Sequence, residues 1–310
     1  MQISFGGKKS RRDYRTVKTS RLRDMAAPIP PKGKVRLHGV DFTGDLCDQR
    51  RNGICTACGV RMAAEEQFAD KVRLSEYWLY IIGKTLVESN LWEGSSILTM
   101  LKAANKFGIP AKEMEKSHPL NVSGSYDDFI ASFRNLYSGK VPQAVLDSAK
   151  KHVIPGYARL DKVDPMLVAR EIDAGKVVIS RFTVGENTYS PSWLARDLLP
   201  LRAPKRIEGG HIWCVSEYEG LDENQILNGP NSWSDQWCND RPEGYKGYFS
   251  LIFRTQKPYF TEGWTINDIP QEIKEEIKEM PAPIWQNGVV INWFERFVAG
   301  LKKLRLYQGK

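Results

Sequence analysis

No stretch of 18 or more apolar residues occurs in this 310-residue chain, so nothing in it reads as a helix that spans a bilayer. Its N-terminus lacks the apolar core of a secretory signal, which sets the expectation of cytoplasmic synthesis without a signal peptide. No internal repeat is visible, which argues against a solenoid or an array. Histidine is scarce. There are four, and His38, His118 and His152 fall outside any motif and read as surface or core residues, leaving His211. The five cysteines, Cys47, Cys55, Cys58, Cys214 and Cys238, are an odd number without a secretion signal, which favours reduced thiols over a disulfide framework.

What is present is ordinary in bulk and uneven in place. A hydrophobic content of 41% with 26% charged residues is that of a soluble globular protein, and 310 residues can bury one large or two modest cores. Of the net charge of +8, residues 1–24 hold +6, as eight Lys and Arg stand there against Asp13 and Asp24. Such an arm suits nucleic acid, anionic lipid or an acidic protein surface, and its composition predicts a solvated tail that orders on a partner. The arm extends to residue 38 through the Pro-containing run Ala26–Pro31.

The periodicities divide the chain. Helical patterns run over Cys55–Ala69, with Glu65 and Glu66 on its exposed face, and over Leu74–Val87, Ser95–Phe107, Tyr126–Tyr137, Pro142–Lys150 and Pro165–Ala174. After Gly175 the character becomes strand-like, at Val177–Phe182, His211–Tyr218 and Gly247–Arg254. Helix-rich first and strand-rich second is an α+β order. A core domain over 39–255 follows, with a C-terminal extension over 256–310. There Gln271–Met280 reads as a charged helix. Val289–Leu306 reads as an amphipathic one, with Arg296, Lys302, Lys303 and Arg305 opposite its apolar stripe. That helix suits packing on its own domain, self-association or assembly, or a membrane surface.

Chemistry concentrates in four residues. Cys55 stands where the Gly53 turn gives way to a helical pattern, and a helix N-terminus favours a thiolate. His211 on a strand would hold the proton, and the side-chain oxygen of Asn231 would orient that imidazole. Gln49 would donate to the oxyanion of a tetrahedral intermediate, beside the N–H of Cys55. This scheme needs no cofactor and no metal.

The segment Asp48–Ala57 resembles the active-site segment of papain-like cysteine peptidases, in the variant common among bacterial and bacteriophage members. Gln49 matches the oxyanion glutamine six residues before the nucleophile, and Gly53 the glycine two before it. His211, after two glycines and before Ile212-Trp213-Cys214-Val215, matches the histidine strand. Asn231-Ser232-Trp233, then Trp237, then Gly247-Tyr248 match the asparagine, the shielding tryptophan and the strand that follows. Weaker echoes are Leu74-Ser75-Glu76, Gly94-Ser95-Ser96 and Asp164–Val178. The resemblance covers roughly residues 40–255. It implies a two-lobe α+β fold, with Cys55 on the helical lobe and His211 and Asn231 on the β-rich lobe. It also implies hydrolysis of polypeptide substrates.

There are departures. Thr56 replaces the usual aromatic after the nucleophile, Arg50 replaces a usual glycine, and the 20 residues from His211 to Asn231 imply a longer loop. Secreted members of the family carry a long inhibitory pro-region, whereas about 38 residues precede the domain here. Control by assembly, or by the arm lying in the cleft, is the expectation.

Two other readings use the same residues. Cys55-x-x-Cys58 with His211-x-x-Cys214 could form a tetrahedral zinc site, though this leaves Gln49 and Asn231 without a role. Asn52 lies six before Cys58, so the register could shift by three and make Cys58 the nucleophile. A non-enzymatic structural or delivery component of a particle, virion included, is the alternative to a peptidase.

Overall fold

A computed structural model describes residues 7–10, 18, 34–36, 46–68, 72–185, 206–233, 247–268, 284–286 and 289–291. Contacts divide the chain into Met1–Asp268 and Ile269–Lys310. The first unit opens with two short strands, β1 (Gly7–Lys8) and β2 (Lys34–Arg36). The helices follow: α1 (Cys55–Glu65), α2 (Glu76–Ile82), α3 (Ile97–Lys106), α4 (Met114–Ser117), α5 (Tyr126–Tyr137), α6 (Gln143–Ala149) and α7 (Pro165–Asp173). A π-helical turn, Gly83–Val87, continues α2, and β3 (Ser95–Ser96) precedes α3.

Local signals explain several starts. Ser75 caps α2 by accepting from the Trp78 N–H, and Ser96 caps α3 through the Thr99 N–H. Ser125 and Asp128 form a reciprocal capping box on α5. Asp164 caps α7, with Pro165 in its first turn. Helix α1 differs, because its residues from Cys55 to Ala64 are all buried. Small side chains let it run through the centre, and its one buried cation, Arg61, is neutralised by Glu65 at 2.9 Å. Glu65, expected on an exposed face, is therefore turned inward.

The strands build two four-stranded antiparallel sheets. One has the order β4 (Tyr157–Arg159), β10 (Phe260–Ile266), β5 (Val178–Gly185), β6 (Ile207–Val215). The other has the order β2, β7 (Glu217–Glu219), β8 (Ile226–Pro230), β9 (Tyr248–Ile252). Trp213 stacks on Phe249 with ring centroids 4.7 Å apart, joining the two sheets through one aromatic contact. The α+β, two-lobe expectation holds: helices come first, strands second, and α1 packs on β6.

That packing depends on Gly59. Cys214 Sγ donates to Gly59 O at 3.2 Å, and a Cβ on Gly59 would lie 2.6 Å from Ile212 Cγ2. Gly59→Val should therefore lower stability by about 1–3 kcal/mol, read from the denaturant midpoint. An unchanged midpoint would show that α1 and β6 are not in this contact.

Four expectations are corrected. The domain does not end at 255, because β10 lies inside the first sheet between β4 and β5, and the unit runs to Asp268. The first 38 residues are not wholly a free tail: β1 pairs with β3, β2 pairs with β7, and Ser10 is buried. The cysteines are not all reduced, since Cys47 and Cys58 form a disulfide with Cα atoms 5.9 Å apart. Parity could not show this, because it is blind to two cysteines brought together by a turn. Finally, Val289–Ile291 form a strand, β12, paired with β11 (Ile284–Gln286), so no helix starts at Val289. Residues 292–306 and 271–280 lie outside the described residues, as does most of 1–24. Among the described residues no helix is long and apolar enough to cross a membrane.

Candidate active site

The segment before α1 is a compact double turn. Asn52 N–H donates to Gln49 O at 2.9 Å and Ile54 N–H to Asn52 O at 2.8 Å. Arg50 has φ +51°, the left-handed region that glycine enters without strain. That accounts physically for the glycine expected there. Arg50 is held in place by its N–H to Asp48 Oδ1 (2.9 Å) and by its guanidinium to Ser123 Oγ (2.6 Å). Ile54 begins α1 without a side-chain cap, which leaves the helix end to whatever anion or partial charge lies before it.

The same turn is tied to the β-rich lobe. Asp48 bridges Trp233, and Gln49 N–H donates to Ser232 O at 3.0 Å. The side chains repeat the link: Ser232 Oγ donates to Gln49 Oε1 at 2.7 Å. With the oxygen of the amide engaged, its NH2 is the end of the side chain that can donate. Ser232 N–H in turn donates to Asn231 Oδ1 (2.8 Å), and the same oxygen lies 2.7 Å from His211 Nε2. Trp233 stacks on the His211 ring at 4.5 Å. Thus His211, Asn231, Ser232 and Gln49 form one hydrogen-bonded chain, covered by an indole.

The α1–β6 packing also bears on Cys55, the first residue of α1. It lies one turn before Gly59, and His211 lies one residue before Ile212, the two residues that meet. Arg181 lies on β5 opposite Ile212. Burial lowers its pKa against the opposing pull of Glu262 and Cys55, so Cys55 is within electrostatic reach of that cation. Burial also brings His211 down to about 4, with the Asn231 bond acting in the other direction. Burial thus favours the neutral imidazole, the form able to accept a proton. Burial pushes the Cys214 thiol up, which leaves that sulfur inert.

Each residue singled out in the sequence can now be placed. Gln49, Gly53, Cys55, His211, Asn231 and Trp233 are brought to one region, and Trp237 lies outside the described residues. Cys58 is bonded to Cys47, and Asn52 Nδ2 donates to Val122 O, so the shifted register has neither its thiol nor its amide. The zinc alternative loses Cys58 in the same way. Among the described residues no cluster of three or more His, Cys, Asp or Glu could hold a metal ion. Ser232 and Glu93 were missed. Ser232 stands inside the Asn-Ser-Trp triplet and was readable there. Glu93 reaches Gly53 from 40 residues away, and nothing local announces it.

Known structures share this architecture. Xylellain, a cysteine protease from Xylella fastidiosa, aligns with a TM-score of 0.67 at 20% identity, covering 86% of this chain and 96% of that one. The proform of Amb a 11, a ragweed pollen cysteine protease, gives 0.52 at 18% identity, over 78% of this chain and 67% of that one. Digestive procathepsin L2 from Tenebrio molitor gives 0.55 at 14% identity, over 81% and 72%. The fold is that of papain-like cysteine proteases. No family model matches the sequence, and no curated protein matches it significantly.

Proposed function

We propose that this chain is a cysteine peptidase that cleaves polypeptides through Cys55, His211, Asn231 and Gln49. The observation that carries the reading is the chain of hydrogen bonds from His211 through Asn231 and Ser232 to Gln49, together with a cysteine, Cys55, that starts α1 outside the Cys47–Cys58 disulfide. With Asn231 Oδ1 on Nε2, the imidazole takes the Cys55 proton on Nδ1. The thiolate attacks the substrate carbonyl carbon, and the carbonyl oxygen becomes an oxyanion facing the Gln49 NH2. His211 then returns its proton to the leaving amine, and water releases the acyl group from sulfur. A structural or delivery component has no need of a buried imidazole held by Asn231 and covered by Trp233. Hydrolysis of a fluorogenic peptide library, abolished by a thiol-directed epoxide, tests the reading. Absence of hydrolysis under reducing conditions, with the arm removed, would contradict it.

The arm supports a closed resting state. Cys55, His211, Asn231 and Gln49 are all 0% exposed. Gly7–Ser10 runs from β3 on the helical lobe, in parallel register Gly7↔Ser95, to Gly210, the residue before His211. A Cβ on Gly7 would lie 2.8 Å from Gly210 O, so only glycine crosses there. Arg181 Nε donates to Gly7 O at 3.0 Å, and Ser10 N–H donates to Glu262 Oε1 at 2.9 Å. Gly7→Val should loosen this crossing and raise kcat/KM for a short peptide about tenfold, which a 1.4 kcal/mol shift toward the open form would give. An unchanged kcat/KM would remove the arm from control. Binding of an anionic partner by residues 1–24, of a membrane or assembly surface by 289–306, and any association with a virion are further proposed roles.

A further inference from the structure

Three successive N–H groups precede the nucleophile, and the middle one goes elsewhere. Asn52 and Ile54 donate within the turn, whereas Gly53 N–H donates to Glu93 Oε1 at 2.9 Å. Gly53 is buried, so without Glu93 this N–H would have no local backbone acceptor. A carboxylate is a stronger acceptor than an amide carbonyl, and this one meets the chain two residues before Cys55.

Glu93 is itself exposed, but the segment presenting it is held from behind. Tyr126 Oη donates to Leu91 O at 3.1 Å, and Lys84 Nζ to Gly94 O at 3.0 Å. Lys84 is fully buried in the π-helical turn and pairs with Glu88, which also accepts from Ser95 Oγ at 2.6 Å and Thr99 Oγ1 at 2.9 Å. Other ties reach the turn on either side of Gly53: Gln49 to Ser232, the Arg50 guanidinium to Ser123 Oγ, Asn52 Nδ2 to Val122 O, and the Cys47–Cys58 disulfide. Glu93 is the side chain that holds Gly53 itself, from a braced segment.

We propose that Glu93 is a positioning residue for the nucleophile: its hydrogen bond to Gly53 fixes the turn from which Gln49 and Cys55 project, and so sets their mutual geometry. It touches no reacting atom. Its effect belongs to the catalytic step and not to substrate binding, because small misplacements of reacting groups cost rate. This rests on the peptidase reading.

The test compares Glu93→Ala, Glu93→Asp and Glu93→Gln in the full chain. Ala removes the acceptor, Asp keeps the charge but falls short, and Gln keeps reach and acceptor without charge. Expected are a kcat lowered about tenfold for Ala and Asp with KM within about twofold, and Gln within about twofold of wild type. Amide exchange over residues 49–56 should accelerate in Ala and Asp and stay slow in Gln. Wild-type kcat in both Ala and Asp overturns the proposal. So does a loss in Gln with a shifted pH profile, which would make charge and not position the cause. If Ala fails to fold, Asp and Gln decide. If wild type does not hydrolyse peptides, the peptidase reading fails. Amide exchange then decides on its own whether Glu93 holds the turn.

Discussion

Cys55→Ala is expected to abolish peptide hydrolysis and to leave the fold standing. Among the described residues no other thiol can form the bond to the substrate carbonyl in the proposed scheme, since Cys47 and Cys58 are joined in a disulfide and burial holds the Cys214 thiol protonated. The structural cost is that of one buried sulfur, about 1 kcal/mol, or a fall of about 2–4 °C in Tm for a domain of this size. Cys58→Ala is the control. It should cost more stability, about 2–3 kcal/mol for losing a short-loop cross-link, and yet retain hydrolysis. The reverse pattern, an active Cys55→Ala and a folded but inactive Cys58→Ala, would place the nucleophile three residues on.

Gln49→Ala is expected to lower kcat about 10²–10³-fold with KM nearly unchanged, the cost of one donor to a developing oxyanion. The donor works only if its amide is oriented, and Ser232 Oγ on Gln49 Oε1 supplies the orientation. Ser232→Ala should therefore produce a smaller loss in the same parameter, since the donor is present but free to turn. Steady-state kinetics on one peptide across both variants checks this. An unchanged kcat in Gln49→Ala would leave the oxyanion to the backbone alone.

Much of this site was legible because its parts are short linear patterns. The Gln49–Cys55 spacing, the glycines before His211 and the Asn-Ser-Trp triplet each survive as local strings, and the helices on the first lobe announce themselves by apolar period and by Ser or Asp caps. What failed depends on distance. Strand β10 was left out of the domain because it follows the last matched pattern, and only its pairing with β5 shows where it belongs. The Cys47–Cys58 bond follows from the double turn that folds the segment back, not from cysteine parity. Glu65 faces inward because Arg61 is already buried beside it. Gly7 carries no signal of its own, since its role is set by the backbone of Gly210 some two hundred residues away. Val289–Ile291 shows the limit of periodicity: three apolar residues fit a strand as readily as the first turn of a helix.

The central claim, that Cys55 is a nucleophile activated by His211, meets its most direct test in alkylation followed by peptide mapping. Gly7→Val protein, with the arm loosened, would be treated with limiting iodoacetamide at pH 7 and compared with the same chain carrying His211→Ala. The account expects label on Cys55 ahead of Cys214, and a labelling rate at Cys55 that drops sharply when His211 is removed. Label distributed without preference for Cys55, or a Cys55 rate indifferent to His211, would contradict it.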